Sequence, residues 1–346
     1  MIKGSQSIQF ETAPYIISSG SIVGKKEGEG PLGKRFDMVG EDDLFGEETW
    51  ELAESTMQKE ACLLALRKAG VTPKEVRYLY GGDLLRQGVA TSMGTEELKI
   101  PMFGLYGACS TSGEALALAS MAVAGGYGDL MLAVTSSHFG SAEKEFRFPL
   151  GYANQRPLSS HWTVTGSGAF LVQSAEEYRK QNTKSYFSNI RITGVTVGKI
   201  VDYGLKDSQN MGACMAPAAM DTIVQNFQDM ERKEKDYDRI ITGDLGSIGR
   251  TILFDLIREK GYDICEKHMD CGMTIFDKER QDTHAGGSGC GCAAVTLASY
   301  VLPKLEKGEW KRVLFVPTGA LMSTVSFNEG ASVPGIAHGI VLESDA

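Results

Sequence analysis

The residue with the clearest chemical potential in this chain is a cysteine at the start of an apolar helix. Cys109 follows Gly107-Ala108 and precedes a run of small residues, after which residues 114–124 predict a helix that is apolar nearly all round. A thiol at a helix N-terminus lies near unpaired backbone N–H groups and the positive end of the helix dipole, and both favour a thiolate or a bound anion. A packed core cysteine is the alternative. The turn of small residues favours a functional role, because it lets a ligand approach the backbone closely.

The elements that must position this cysteine occur twice in the chain. Residues 76–84 and 237–245 are each a short apolar run closed by Gly-Asp-Leu, and each follows a charged segment, 56–68 or 221–235, that predicts a helix. Downstream, a Gly-rich turn, an apolar helix and a strand follow in both cases, at 107–134 and again at 286–316. Continuous apolar strands of this kind indicate sheets that are covered on both faces.

This duplication predicts two halves, residues 1–175 and 176–346, that share one interface. Each half has a strand at the edge of its sheet. Such edges need cover, so we expect a homodimer.

Composition limits the class of protein. The 346 residues are 42% hydrophobic and 23% charged, which is typical of a globular protein with a large core. The 35 Lys and Arg against 44 Asp and Glu give a net charge of −9, which argues against a general nucleic-acid binder. No apolar run approaches the ~20 residues that span a bilayer, and the first residues lack the apolar core of a signal peptide, so we expect a soluble chain. The seven scattered cysteines indicate reduced thiols.

Several motifs together resemble a known family. Gly107-Ala108-Cys109-Ser110 with its apolar helix resembles the nucleophile elbow of the thiolase and ketoacyl synthase superfamily. Within that superfamily the chain resembles the stage V sporulation protein AD family over essentially its whole length, most specifically in residues 146–168. The resemblance implies an α/β, thiolase-like fold of two repeated βα halves in a five-layer αβαβα sandwich.

The resemblance also implies a function. Members are spore proteins that bind dipicolinic acid (pyridine-2,6-dicarboxylate) or its calcium chelate, for its uptake in sporulation and its release in germination. It implies a peripheral position at the spore inner membrane, with the other spore channel (SpoVA) proteins as partners.

Condensing enzymes of the superfamily need more than a cysteine. A histidine, with a second His, Asn or Cys, supports the thiolate and stabilises the oxyanions. Aligning the two halves places Gly243 where the histidine is expected and Gly287-Ser288-Gly289 where the asparagine is expected. We therefore expect a binding protein without condensing activity or cofactor, although His284 and His338 remain as substitutes, His284 being the better placed.

Two other functions stay open. One is a thiolase-like acyltransferase that uses Cys109 and a coenzyme A thioester. The other is a purely structural partner that keeps a relic pocket. A histidine within hydrogen-bond reach of the Cys109 sulfur would favour the enzyme.

A planar dianion such as dipicolinate needs cationic or N–H donors for its carboxylates and a flat face for its ring. Arginines pair with carboxylates bidentately, the helix start offers N–H groups, and Tyr106, Phe139 and Trp162 are candidates for the flat face. The predicted ligand-binding residues are Asp83, Cys109, Ser110, His138, Arg147 and Arg156.

Two of these residues carry specific expectations. Asp83 either ligates calcium or caps a helix, because Asp at a strand-to-helix turn does both. His138 follows the strand after the buried helix, so we expect it near Cys109.

A zinc site is a weaker hypothesis. Cys265, His268 and Cys271 have a C-x2-H-x2-C spacing, which Cys290 and Cys292 would complete. This spacing is not that of a standard zinc knuckle, so we interpret these cysteines as reduced loop thiols and predict no metal.

Overall fold

The computed structural model describes residues 1–146, 155–181 and 188–345. The strands are β1 Ile2–Lys3, β2 Ser7–Gln9, β3 Tyr15–Val23, β4 Met38–Val39, β5 Tyr78–Gly82, β6 Met102–Gly104, β7 Leu130–Ser137, β8 Trp162–Thr163, β9 Gly166–Gln173, β10 Ile190–Thr196, β11 Arg239–Thr242, β12 His268–Asp270, β13 Gly287–Ser288, β14 Arg312–Val316, β15 Thr318–Ala320, β16 Gly335–Ala337 and β17 Gly339–Ser344. The helices are α1 Lys25–Gly28, α2 Trp50–Ala69, α3 Val89–Thr95, α4 Thr111–Ala124, α5 Phe139–Phe146, α6 Ala175–Gln181, α7 Met211–Asp229, α8 Gly246–Glu259, α9 Cys271–Ile275, α10 Cys290–Thr296, α11 Leu302–Glu306 and α12 Thr324–Asn328.

The main sheet shows the internal duplication directly. Its strand order is β12-β11-β14-β17-β10-β3-β9-β7-β5-β6, so the first five strands mirror the last five. In each half the three outer strands are parallel and the inner ones antiparallel. The halves join where β3 pairs with β10, with Ile16 opposite Ile190. The predicted pair of βα halves is confirmed, while a boundary at residues 175 and 176 stays a prediction.

The core has the predicted layers. Helices α4 and α10 pack between the two sheet halves, where Leu116 and Val295 are fully buried with Met131 of β7 and Phe315 of β14. Helix α2 covers the outer face of the first half, and α7 and α8 cover the outer face of the second. Helix α4 has no polar face to turn to water, because sheets cover it on both sides.

Helix α7 begins earlier than the sequence predicts. The charged segment at 221–235 predicts its position, but the helix runs from Met211 to Asp229, with Pro217 inside it. A proline normally ends a helix, because its ring clashes with the carbonyl of the preceding turn. The Asn210 side chain caps this helix by accepting from the Ala213 N–H.

Candidate functional site

Cys109 lies in a tight turn between β6 and α4. The residue before it, Ala108, has a φ of 49°, a left-handed conformation that costs a non-glycine residue about 1–2 kcal/mol. Hydrogen bonds hold this conformation: the Ser110 hydroxyl donates to the Gly107 carbonyl at 2.7 Å, and the Thr111 hydroxyl donates to the Ala108 carbonyl at 2.7 Å. Ser110 is fully buried, and its side chain supports the turn through this bond to Gly107.

The cavity at Cys109 is narrow. Other side chains that line it include Tyr106, Glu143, His161 and Met211. The centre of a water molecule can reach about 20 Å³ of it, which is room for about one water. A ligand with an aromatic ring therefore requires side chains at the rim to move.

The Cys109 thiol pairs with a carboxyl group from the second half of the chain. It donates a hydrogen bond to Asp244, which follows β11. The Gly289 N–H donates to Asp244 Oδ2 at 2.9 Å and also to the Cys109 sulfur. The Thr318 hydroxyl donates to Asp244 Oδ1 at 2.8 Å. Donors from the start of α10 and from β15 thus fix the Asp244 carboxyl beside the sulfur.

Burial determines the charge state of this pair. It raises the pKa of Asp244 to about 7. Burial, and then the charges of Asp244 and Cys290, raise the pKa of Cys109 well above that of a free thiol. At neutral pH the sulfur is therefore a neutral thiol. The thiolate that the helix-start position favours does not form, because desolvation and a neighbouring acid outweigh the helix dipole.

Gly243, which the sequence analysis placed where a catalytic histidine is expected, does not face Cys109. A side chain at Gly243 would lie 3.1 Å from Pro317 Cα and 3.2 Å from the Thr318 nitrogen, so that position faces packed backbone. The next residue, Asp244, turns toward Cys109. The repeated Gly-Asp-Leu was the available signal, since Asp244 is the counterpart of Asp83.

The two histidines proposed as substitute bases lie elsewhere. The His284 ring contacts the Pro157 carbonyl at 2.8 Å and the Asp282 carboxylate at 3.0 Å. His338 Nδ1 accepts from the Gly198 N–H at 3.2 Å, and burial lowers its pKa to about 4.

The histidine that does line the Cys109 cavity is His161, with Nε2 3.2 Å from the Leu245 carbonyl. The sequence analysis missed it. The alternation of side-chain direction along an extended segment could have indicated it. His161 and Thr163 face the Cys109 cavity, and Trp162 between them faces away.

Asp83 is fully buried and makes the contacts of a cap. Its carboxylate accepts from the Leu85 N–H at 2.8 Å, the Thr91 N–H at 2.8 Å and the Thr91 hydroxyl at 2.6 Å. These bonds tie the end of β5 to the first turn of α3. This arrangement matches the capping alternative, and all three bonds hold the loop that carries Leu84 into the Cys109 cavity.

The other predicted residues lie apart from Cys109. His138 was expected beside it but lines a second cavity, of about 460 Å³, together with Phe139 and Trp162. The chain turns into α5 directly after His138, which carries the ring away from the Cys109 turn. The Arg156 side chain is 1% exposed, with Nη2 2.9 Å from Asp282 Oδ2 and its guanidinium 5.0 Å from the centre of the Trp162 ring. Arg147 lies outside the described residues.

The seven cysteines are free thiols. Cys290 donates to the Ser136 carbonyl at 2.8 Å, and Cys265 lies half-buried, 2.9 Å from an Arg258 nitrogen. In residues 1–146, 155–181 and 188–345, no group of three His, Cys, Asp or Glu side chains is arranged to hold a metal ion.

The fold is shared with a synthase and a thiolase of known structure. The structure is similar to 3-oxoacyl-(acyl-carrier-protein) synthase III from Aquifex aeolicus VF5, at TM-score 0.56 and 14% identity over 95% of this chain and 99% of the other. It is also similar to human mitochondrial 3-ketoacyl-CoA thiolase, at TM-score 0.59 and 12% identity over 97% of this chain and 99% of the other. At these identities the likeness shows the fold alone. The thiolase-like fold is thereby confirmed.

The sequence narrows the relationship. The family model described as Stage V sporulation protein AD matches residues 4–343. The chain is 41% identical to Stage V sporulation protein AD of Bacillus subtilis (strain 168), over 99% of this chain and 98% of that protein. This chain therefore belongs to the stage V sporulation protein AD family.

Proposed function

We propose that this protein binds dipicolinate, free or as its calcium chelate, at the Cys109 cavity and does not catalyse condensation. The binding serves the uptake of dipicolinate in sporulation and its release in germination. The observation that carries the non-catalytic part is the pairing of Cys109 with Asp244. A carboxyl group that raises the pKa of the sulfur opposes thiolate formation, whereas an imidazole would promote it.

The surroundings of the cavity support an anionic ligand only in part. Within the described residues His161 is the cationic candidate in its lining, and Arg86 lies at the neighbouring rim beside Tyr106, 3.0 Å from the Glu145 carboxylate. Glu143 also lines the cavity, and its carboxylate accepts from the Thr163 hydroxyl at 2.9 Å. Binding of a dianion in this cavity therefore depends on protonation of Asp244 and on donors such as Arg86.

Filling the cavity tests the location of the site. Ala320 is buried in its wall, so Ala320→Leu inserts a side chain where the ligand ring must lie. We expect dipicolinate affinity, measured by titration calorimetry with and without calcium, to fall by about 30-fold or more. The control is Ala331→Leu, the same change at an exposed position. Unchanged affinity in a folded Ala320→Leu protein would place the ligand elsewhere.

An acyltransferase remains the second candidate, because the strained Ala108 and the Gly289 N–H at the sulfur reproduce parts of a catalytic elbow. We expect incubation with acyl-coenzyme A thioesters to give no turnover. Intact mass and free coenzyme A report on this directly. A stoichiometric adduct that is absent in Cys109→Ala and turns over would establish the enzyme. A slow adduct alone would not, because a cysteine can react without catalysing.

We also propose a homodimer that pairs through β6. This strand is one of the two edges of the main sheet, and its three residues are all exposed, with Phe103 stacked on Tyr80 at 5.3 Å. An edge strand with exposed apolar side chains is a natural pairing surface. We expect light scattering to give twice the 37.4 kDa of one chain, and Phe103→Asp to give a monomer. The control is Tyr127→Asp, since Tyr127 is exposed on a loop. A wild-type monomer at micromolar concentration would refute the dimer.

Membrane association is proposed to be peripheral and to depend on the SpoVA proteins as partners. Within the described part of the chain, none of the helices combines the length and the apolar character needed to cross a bilayer. Contact with the inner membrane of the spore would then come through partner proteins.

A further inference from the structure

The second cavity has flat aromatic walls and is large enough for a small molecule. Its volume of about 460 Å³ falls in the range of ligand pockets. Phe139 and Trp162 stack with ring centroids 3.9 Å apart, and Trp50 lies beside His138. Gly140 makes room for this wall, since a side chain there would come within 2.4 Å of the Trp50 ring.

Two cationic side chains contact this aromatic wall without using their full hydrogen-bonding capacity. The Lys26 ammonium lies 4.1 Å from the centre of the Trp162 ring, and it contacts no carboxylate among the described residues. Lys26 is half-buried, and this partial removal of the ammonium from water lowers its pKa. The Arg156 guanidinium lies 5.0 Å from the centre of the same ring but does not line the cavity, and within the described residues its Nε and Nη1 have no hydrogen-bond partner. A bound anion would give Lys26 the acceptor that it lacks among the described residues.

The acidic groups of the cavity do not supply that acceptor. Glu27 is turned inward, where its Oε1 accepts from the Thr165 N–H at 3.0 Å, and burial raises its pKa to about 7. Glu29 and Asp43 line the rim but are exposed, so water screens them. The Asp282 carboxylate, which pairs with Arg156, is 71% exposed.

We infer that this cavity binds a small planar carboxylate, whose anionic group pairs with the Lys26 ammonium and whose plane lies against the aromatic wall. The site is distinct from the Cys109 cavity, because Trp162 faces one cavity and its strand neighbour Thr163 faces the other. The inference does not depend on dipicolinate binding at Cys109.

Tryptophan fluorescence can test the site directly. The chain has three tryptophans; Trp50 and Trp162 line this cavity, and Trp310 packs against Tyr300 elsewhere. In a Trp310→Phe background all tryptophan emission therefore comes from the cavity. The probe is isophthalate (benzene-1,3-dicarboxylate), and benzylamine is the cationic counterpart. We expect saturable quenching by isophthalate and little by benzylamine.

Matched variants assign the quenching to Lys26. Lys26→Gln should weaken isophthalate binding by about tenfold or more. Lys25 is an exposed neighbour that also lines the cavity, and Lys25→Gln should weaken the binding less than about threefold. Ala320→Leu, which fills the Cys109 cavity, should leave the quenching unchanged. The inference is overturned by absent quenching, by equal affinity in Lys26→Gln, or by tighter binding of benzylamine. Loss of dipicolinate binding in Ala320→Leu alone would bear only on the proposed function.

Discussion

Dipicolinate is expected to bind about 30-fold more weakly at about pH 8.5 than at about pH 6, if it binds the Cys109 cavity only when Asp244 is protonated. The pKa of Asp244 is raised to about 7, so most of this carboxyl is neutral at the lower pH and almost all of it is charged at the higher. The ligand is a dianion at both pH values. A negative charge beside the sulfur repels it, and affinity therefore falls as pH rises through the pKa.

The variant Asp244→Asn should remove most of this pH dependence. Asparagine keeps the shape of the neutral acid, and the Thr318 hydroxyl can rotate to accept from the new amide. We expect the variant to bind at high pH nearly as well as the wild type does at low pH, by titration calorimetry at both values. His161 lines the same cavity and also titrates. The variant His161→Gln retains Asp244, so it separates the contribution of His161 to the pH dependence from that of Asp244. A full pH dependence in Asp244→Asn would show that another group is responsible.

Gly291→Ala is expected to lower the free energy of unfolding by about 3 kcal/mol, because a single added methyl group meets backbone on two strands. Its Cβ would lie 2.3 Å from the Gly166 carbonyl oxygen and 2.9 Å from the Ser137 nitrogen. Neither backbone atom can move without separating α10 from β7 and β9. Because α10 also fixes the Gly289 N–H, the shift would loosen the Cys109–Asp244 pair.

Urea unfolding of the purified variant measures this effect. The matched control is Gly104→Ala, where an added Cβ meets no atom of its own chain within 4 Å. Because Gly104 lies in β6, both variants are compared in the Phe103→Asp background, in which pairing through β6 is expected to be lost. We expect the control to unfold like the Phe103→Asp protein. A Gly291→Ala protein as stable as that background would show that α10 tolerates displacement from the two strands.

The fold was predictable from the sequence because its signals are local and occur twice. Apolar strands closed by Gly-Asp-Leu, and apolar helices opened by Gly-rich turns, need no knowledge of distant residues. The duplication then predicted the paired sheet halves and the buried helices α4 and α10. Helix α7 was harder to predict, because Pro217 suggests a boundary where tertiary packing maintains a continuous helix.

The site was predictable only as far as the turn that carries Cys109. Asp244 comes within hydrogen-bond distance of the sulfur from the other half of the chain, whereas the sequence analysis considered only its neighbour Gly243 at this position. The neutral thiol is likewise a consequence of burial, since the helix start by itself favours the anion.

The same limit applies to the predicted ligand residues. The sequence placed His138, Arg156 and Cys109 around one ligand, because neighbouring motifs suggest a common site. The turn into α5 and the alternation along β8 direct them into two cavities, with His161 facing Cys109 and Trp162 facing Lys26. Local sequence patterns were therefore enough to predict the fold, the duplicated architecture and the cysteine turn. The folded structure was needed to show which side chains share a cavity and which charge each carries, because both depend on contacts and burial between segments distant in the chain.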